Sequence, residues 1–183
     1  MNEPNINENN TSEKKEYIQP PRQTFEPPFP PVVNIAEQRK TIFVGEKYES
    51  YYKEKFDQIT PKKQIAGFNI GALFFGLMWL FYRKMYAYGF IFLGAILITC
   101  IIPIPEAIDR SLSIAIAVTM GIYGNTLYKN FVDKKIKEIE KTHPDRVEQE
   151  LERQGGTNIW AGIGILFLAV VAIFIVVTVS GNY

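Results

Sequence analysis

The sequence predicts an all-α, polytopic membrane helical protein. Three spans and one membrane-embedded or re-entrant helix are expected behind a disordered, proline-rich N-terminal tail, with four spans as the alternative. Three observations lead there. Four apolar runs, 67–82, 85–102, 111–128 and 159–179, fill most of the chain beyond residue 66. Residues 67–128 carry five charged side chains (Arg83, Lys84, Glu106, Asp109 and Arg110), all near run ends, and 159–183 carry none. A water-soluble core absorbs one such run but not four. Finally, lysine and arginine are unevenly spread around the runs, which orients them in a bilayer. The averages hide this division: 183 residues, 47% hydrophobic, formal net charge +1.

Residues 1–40 read as a cytoplasmic tail. Asn and Glu dominate the first sixteen positions, and Pro20-Pro21, Pro27-Pro28 and Pro30-Pro31 come next, with Phe25 and Phe29 between them. Proline fixes φ and removes backbone donors, so the block favours extended polyproline II over a packed element. It serves as a semi-rigid spacer or as a ligand for a protein partner with an aromatic-lined groove. The first 30 residues hold no apolar signal-peptide core, so the first apolar run is expected to act as the insertion signal.

Residues 41–66 predict a juxtamembrane amphipathic helix. Tyr48, Tyr51, Tyr52, Phe56 and Ile59 recur at helical spacing, opposite Glu49, Lys53, Glu54 and Asp57, until Thr60-Pro61 ends the pattern. Its aromatic face can lie at the headgroup level or pack on a loop of the same chain. The membrane domain is 67–183. At 1.5 Å per residue its fourth run covers roughly 30 Å, the thickness of the hydrocarbon core, and the first only about 24 Å. Between the third and fourth runs, 129–158 predicts a cytoplasmic helical loop. Phe131, Val132, Ile136 and Ile139 prolong the third helix, Thr142 or His143 caps a second one with Pro144 in its first turn, and Gly155-Gly156 stops it.

Basic residues near membrane segments prefer the cytoplasm. Four full crossings from a cytoplasmic N-terminus would leave both Arg83-Lys84 and the lysine-rich 129–158 segment outside. If the first run is embedded without crossing, both are cytoplasmic, only Arg110 is outside, and the C-terminus is outside. The first run is apolar around most of its circumference, so it must be buried in lipid or protein; a re-entrant helix covered by the other spans meets both demands. The expected location is the cell membrane, multi-pass.

Phe68-Asn69, Ala72-Leu73-Phe74-Phe75-Gly76, Trp79 and above all Tyr82-Arg83-Lys84-Met85-Tyr86 resemble the family known as domain of unknown function 2628. Phe43-Val44-Gly45, Tyr51-Tyr52 to Phe56, and Gly121-Ile122-Tyr123-Gly124-Asn125 with Tyr128 are similar to it as well. The resemblance covers roughly 42–158 and implies a small bacterial inner-membrane protein with no assigned activity. Ile70 stands where the family pattern leads one to expect tryptophan, and Leu77 where one expects proline; without that proline the first helix is expected to be straighter.

Two groups of candidate residues emerge. Arg83 and Lys84, flanked by Trp79, Tyr82 and Tyr86, suit anionic lipid headgroups; the plainer reading is a snorkelling, topology-setting pair within an aromatic belt. Ser113, Ala117, Gly121 and Asn125 form an i, i+4 ridge for close helix packing, within the chain or in a homo-oligomer, and Asn69 is a candidate hydrogen-bond partner for Asn125. Catalytic, metal-ligating and phosphate-loop patterns are absent, and the single histidine, His143, has no second ligand beside it. No ionisable residue lies deep in a run, which argues against ion-coupled transport. A non-enzymatic membrane protein acting through protein or lipid contacts is therefore expected, with neither cofactor nor nucleic-acid partner. A small transporter or oligomeric channel is the alternative.

Overall fold

A computed structural model of the chain describes residues 34–102 and 104–180. They form seven α-helices: α1 (Ile35–Val44), α2 (Lys53–Gln58), α3 (Ile70–Tyr82), α4 (Tyr86–Ile101), α5 (Glu106–Thr142), α6 (Val147–Gln154) and α7 (Ile159–Ser180). A π-helical turn, Tyr48–Tyr52, leads into α2, and a 3-10 turn, Pro144–Arg146, leads into α6. Among the described residues there is no strand, so the all-α expectation holds. Most of the proline-rich tail lies outside the described residues. Its boundary at residue 40 falls inside α1, which starts where Asn34 Oδ1 accepts a hydrogen bond from Glu37 N at 3.3 Å. The polar surface that made 35–40 look unstructured is used in ion pairs to α5, Arg39–Glu140 at 2.6 Å and Lys40–Asp133 at 3.6 Å.

One layer is a helical cap built from α1, the π turn with α2, the second half of α5, and α6. Phe43, Val44, Tyr48, Tyr52 and Phe56 are buried against Tyr128, Val132, Ile136, Ile139 and Leu151. The aromatic face of 48–59 thus packs on the chain's own α5, where each fully buried large side chain contributes roughly 1.5–3 kcal/mol. Burial raises the Tyr48 phenol to about 12. The third run continues unbroken into this cap: α5 has 37 residues, about 55 Å of helix. Neither Thr142 nor His143 caps α6 as predicted. Thr142 Oγ1 donates back to Glu138 O at 2.8 Å, and the chain passes through the 3-10 turn before α6 begins. In α6 the Glu150 carboxylate is held down at about 2, chiefly by hydrogen bonds from Arg153 and then Gln154.

The centre of the other layer is α3. It is not straight: Phe75, with φ −118° and ψ 19°, leaves the helical region beside Gly76. A Cβ on Gly71 would sit 3.3 Å from Trp79 Cδ1. Eight residues of continuous helix would separate those positions by about 12 Å, so the chain folds back on itself. The expected straightening from Leu77 does not occur; the helix breaks at Phe75 without a proline. The foot of this hairpin is bound to α5 by Asn69 N donating to Gly121 O at 2.7 Å, and to the start of α7 by Asn158 N donating to Tyr82 O at 2.8 Å. Its tip, with Phe74 and Phe75 72% and 58% exposed, enters a space of about 390 Å³ shared with Phe92 and Ile96 of α4, Ser113 and Ala117 of α5, and Leu166 of α7. Hence α4 and α7 run away from the cap while α5 runs towards it. All three pack on α3, and among the described residues their main contacts are with α3 rather than with one another.

Among residues with described side chains, no single helix is long and apolar enough to cross a membrane. Pro144–Gln154 with Ile159–Ala172, bent by 50°, reaches that length and composition as a pair.

Candidate functional site

The end of α3 builds the site. Arg83 N donates to Trp79 O, Lys84 N to Phe81 O and Met85 N to Leu80 O, and Lys84 has φ 57°. This is a Schellman ending with the buried pair Met85 and Leu80 as its apolar contact, and lysine where glycine is usual. The turn sends consecutive cations in different directions. Lys84 Nζ donates to Gly155 O and, at 3.3 Å, to Arg153 O, satisfying carbonyls at the end of α6; partial burial lowers its pKa. Two substitutions separate these roles. Lys84→Ala loses both carbonyl contacts yet keeps the strained left-handed residue, whereas Lys84→Gly loses only the contacts. The glycine variant is expected to be more stable than the alanine variant by about 1 kcal/mol in thermal unfolding in detergent.

Arg83 points inward. It is 5% exposed, and its guanidinium carbon lies 4.7 Å from the ring centre of Tyr52, 5.0 Å from Tyr128 and 5.4 Å from Tyr82. Trp79 closes the box, edge-on to Tyr128 at 6.1 Å. The π turn is what brings Tyr52 here, since its wider winding keeps Tyr48, Tyr52 and Phe56 on one buried face. Ring faces attract the delocalised cation, but they offer no lone pairs to in-plane N–H groups. Nε and Nη1 of Arg83 have no acceptor, nor is the Tyr128 hydroxyl partnered, and among the described residues no carboxylate pairs with Arg83. Burial raises the Tyr52 pKa, with the Arg83 charge pulling it down.

The box opens onto a cleft of about 550 Å³ whose polar lining includes Lys47, Ser50, Asn69 and Arg83, with no acidic side chain. Its mouth is formed by the two arms of the α3 hairpin and the π turn.

Of the predicted headgroup set, the structure gathers Arg83, Trp79 and Tyr82. Lys84 is committed to α6, and Tyr86, 38% exposed, packs on Phe81 and accepts from Asn158 Nδ2 at 3.2 Å. The snorkelling reading does not hold for Arg83, which is buried under aromatic rings instead of reaching water. Asn69 and Asn125 meet: Asn69 Nδ2 donates to Asn125 Oδ1 at 3.0 Å, and both are buried. Gly121 lies under the Phe68 ring, Ala117 is half-buried, and Ser113 is exposed beside the hairpin tip. Gly124, which the i, i+4 ridge omitted, makes a close approach to α3 itself, with a Cβ there 2.8 Å from Ala72 Cβ. Sequence reasoning also missed Tyr52, Tyr128 and Lys47 as site residues. Clustered tyrosines in 48–52 and a tyrosine ending the third run were the available signals. Among the described residues no group of acidic, His or Cys side chains could hold a metal ion.

The family described as "Protein of unknown function (DUF2628)" matches residues 33–134. No curated protein and no solved structure matches the chain.

Proposed function

The chain belongs to the DUF2628 family, and from that premise we infer a non-enzymatic multi-pass membrane protein that acts by binding at the Arg83 cleft. In this reading α4, α5 and α7 cross the bilayer, α3 is a re-entrant hairpin, and the helical cap is cytoplasmic. The observation that carries it is the fold-back of α3 among three helices whose outer faces are apolar. Phe90, Ile91, Ile114, Phe167, Val170 and Phe174 are each 58% or more exposed. Exposed apolar surface on that scale marks contact with lipid or protein. The α7 backbone stays helical for 22 residues, about 33 Å, through a stretch without a charge. The space around the hairpin tip is lined by α7 as far as Ala169, ten residues beyond Ile159, a depth of about 15 Å and so about half of the hydrocarbon core. Trp160, 78% exposed, and Tyr86 lie at its foot, where an interfacial aromatic belt belongs. The lysine-rich cap is on that same side, as the charge rule requires.

Cysteine labelling tests this, after replacement of the single cysteine, Cys100. A cysteine at 84 is expected to resist an impermeant external reagent in intact cells, and one at 183 to react. Labelling at 84 with protection at 183 would rule the topology out.

A further inference from the structure

We propose that the Arg83 cleft binds a phosphate group, and that the phosphate belongs to a membrane phospholipid whose acyl chain lies in the adjoining apolar groove. Three observations converge. Arg83 is a permanently charged side chain, nineteen-twentieths buried, with Nε and Nη1 lacking acceptors and no carboxylate partner among the described residues. Buried charges are held by opposite charge or hydrogen bonds, and the surrounding tyrosines supply no counter-ion and no well-aligned acceptor for Nε and Nη1. Its planar donors suit phosphate oxygens. The cleft adds a second cation, the exposed Lys47, and the Ser50 and Asn69 side chains, with no acid on its wall. Two cations without a carboxylate make a field that concentrates anions.

The third observation favours a lipid source. The cleft shares Gly71, Trp79 and Tyr82 with an apolar groove of about 270 Å³ lined by Phe75, Met78 and Ile159. A free phosphate has no use for that groove, whereas an acyl chain fits it. Of the three rings around the guanidinium, Tyr82 is the most exposed, so its rotation gives the phosphate access. The lipid assignment rests on the membrane reading above; the anion site does not.

The chain has two tryptophans, Trp79 at the cleft and Trp160 on the exposed face. In a Trp160→Phe background, Trp79 fluorescence of the full chain in neutral detergent reports on the cleft. Titrations use dihexanoyl phosphatidylglycerol, glycerol 3-phosphate and inorganic phosphate. Saturable binding of the lipid is expected, weakened roughly ten- to a hundredfold by Arg83→Met and about threefold by Lys47→Gln. Ile159→Phe, which fills the groove, should weaken the lipid and leave inorganic phosphate unaffected. Equal binding of inorganic phosphate and lipid, insensitive to Ile159→Phe, would overturn the lipid source and leave an anion site. No saturable response to any probe, or one that both cation variants leave intact, would overturn the site itself. Should Arg83→Met not fold, Lys47→Gln carries the test, because Lys47 is exposed and outside the core. Labelling at positions 84 and 183 reports topology separately, so a failure of the membrane reading, which would take the lipid source with it, is told apart from a failure of the anion site.

Discussion

Asn125→Leu is expected to destabilise the protein by about 3 kcal/mol or more, because it leaves a buried donor and a buried acceptor unpaired at once. Asn125 is 0% exposed and occupies the middle of a relay. Its Oδ1 accepts from Asn69 Nδ2 at 3.0 Å, and its Nδ2 donates to Ala66 O at 2.9 Å. Asn69 Oδ1 in turn accepts from Ala72 N at 2.9 Å and so caps α3, while Thr126 Oγ1 donates to Gln64 O. The chain entering the hairpin is therefore tied to α5 by the buried polar groups of Asn69, Asn125 and Ala66, with the part-buried Thr126 bond beside them. Leucine has nearly the right size, so the loss is one of hydrogen bonds rather than volume. Thermal unfolding in detergent measures it, and hydrogen exchange at residues 64–72 should rise before global unfolding does. The double variant Asn69→Leu with Asn125→Leu is expected to cost less than the sum of the two single changes, since removing both partners spares the orphaned donor. An Asn125→Leu protein that melts with the wild type would mean that this relay is not what anchors the hairpin.

The helices were legible because their cause is local. Apolar runs, the stripe Phe131, Val132, Ile136 and Ile139, and the Gly155-Gly156 stop each appear in the chain as a period or a breaker. The α3 hairpin was legible only indirectly, through the conflict between an apolar run and the charge at Arg83-Lys84. Its turning point could not be read from propensity, because Phe75 carries no breaking signal and Gly76 alone is a weak one. The site was split for the same reason. Arg83, Trp79 and Tyr82 are neighbours in sequence and were found together, but Tyr52 and Tyr128 arrive from elements 31 and 45 residues away. Whether adjacent cations point the same way depends on one backbone angle, the positive φ of Lys84, in a position where a helix-ending glycine would have been easy to recognise.

Gly155→Ala should be the most damaging single methyl group in the cap, and it tests how the cap is fastened to the hairpin. A Cβ at 155 would enter the van der Waals shell of Phe43 O and lie 2.6 Å from Leu151 O. Both are backbone atoms at the ends of helices, so neither yields by a rotamer change. The same node joins three elements: Gly156 N donates to Phe43 O at 2.7 Å, Gly155 N to Leu151 O at 2.8 Å, and Lys84 Nζ to Gly155 O. Overpacking of this kind costs about 3 kcal/mol or more where the backbone cannot relax. Gly156→Ala provides the control. Gly156 has φ 72° but nothing within 4 Å of an added Cβ, so its cost is the left-handed conformation alone, about 1–2 kcal/mol. If the two variants lose equal stability, crowding at Phe43 is not what limits position 155. If Gly155→Ala loses more, as expected, α1 is being levered off α6. The Lys84 contact then weakens with it, although Lys84 lies in the turn that ends the hairpin rather than in the cap. The consequence reaches Arg83 through a single peptide bond: a turn freed at Lys84 no longer fixes the guanidinium beneath Tyr52 and Tyr128. Loss of the proposed phospholipid binding in Gly155→Ala, with Lys47 and Arg83 both still present, would show that the cleft is set by the cap's docking rather than by the cations alone.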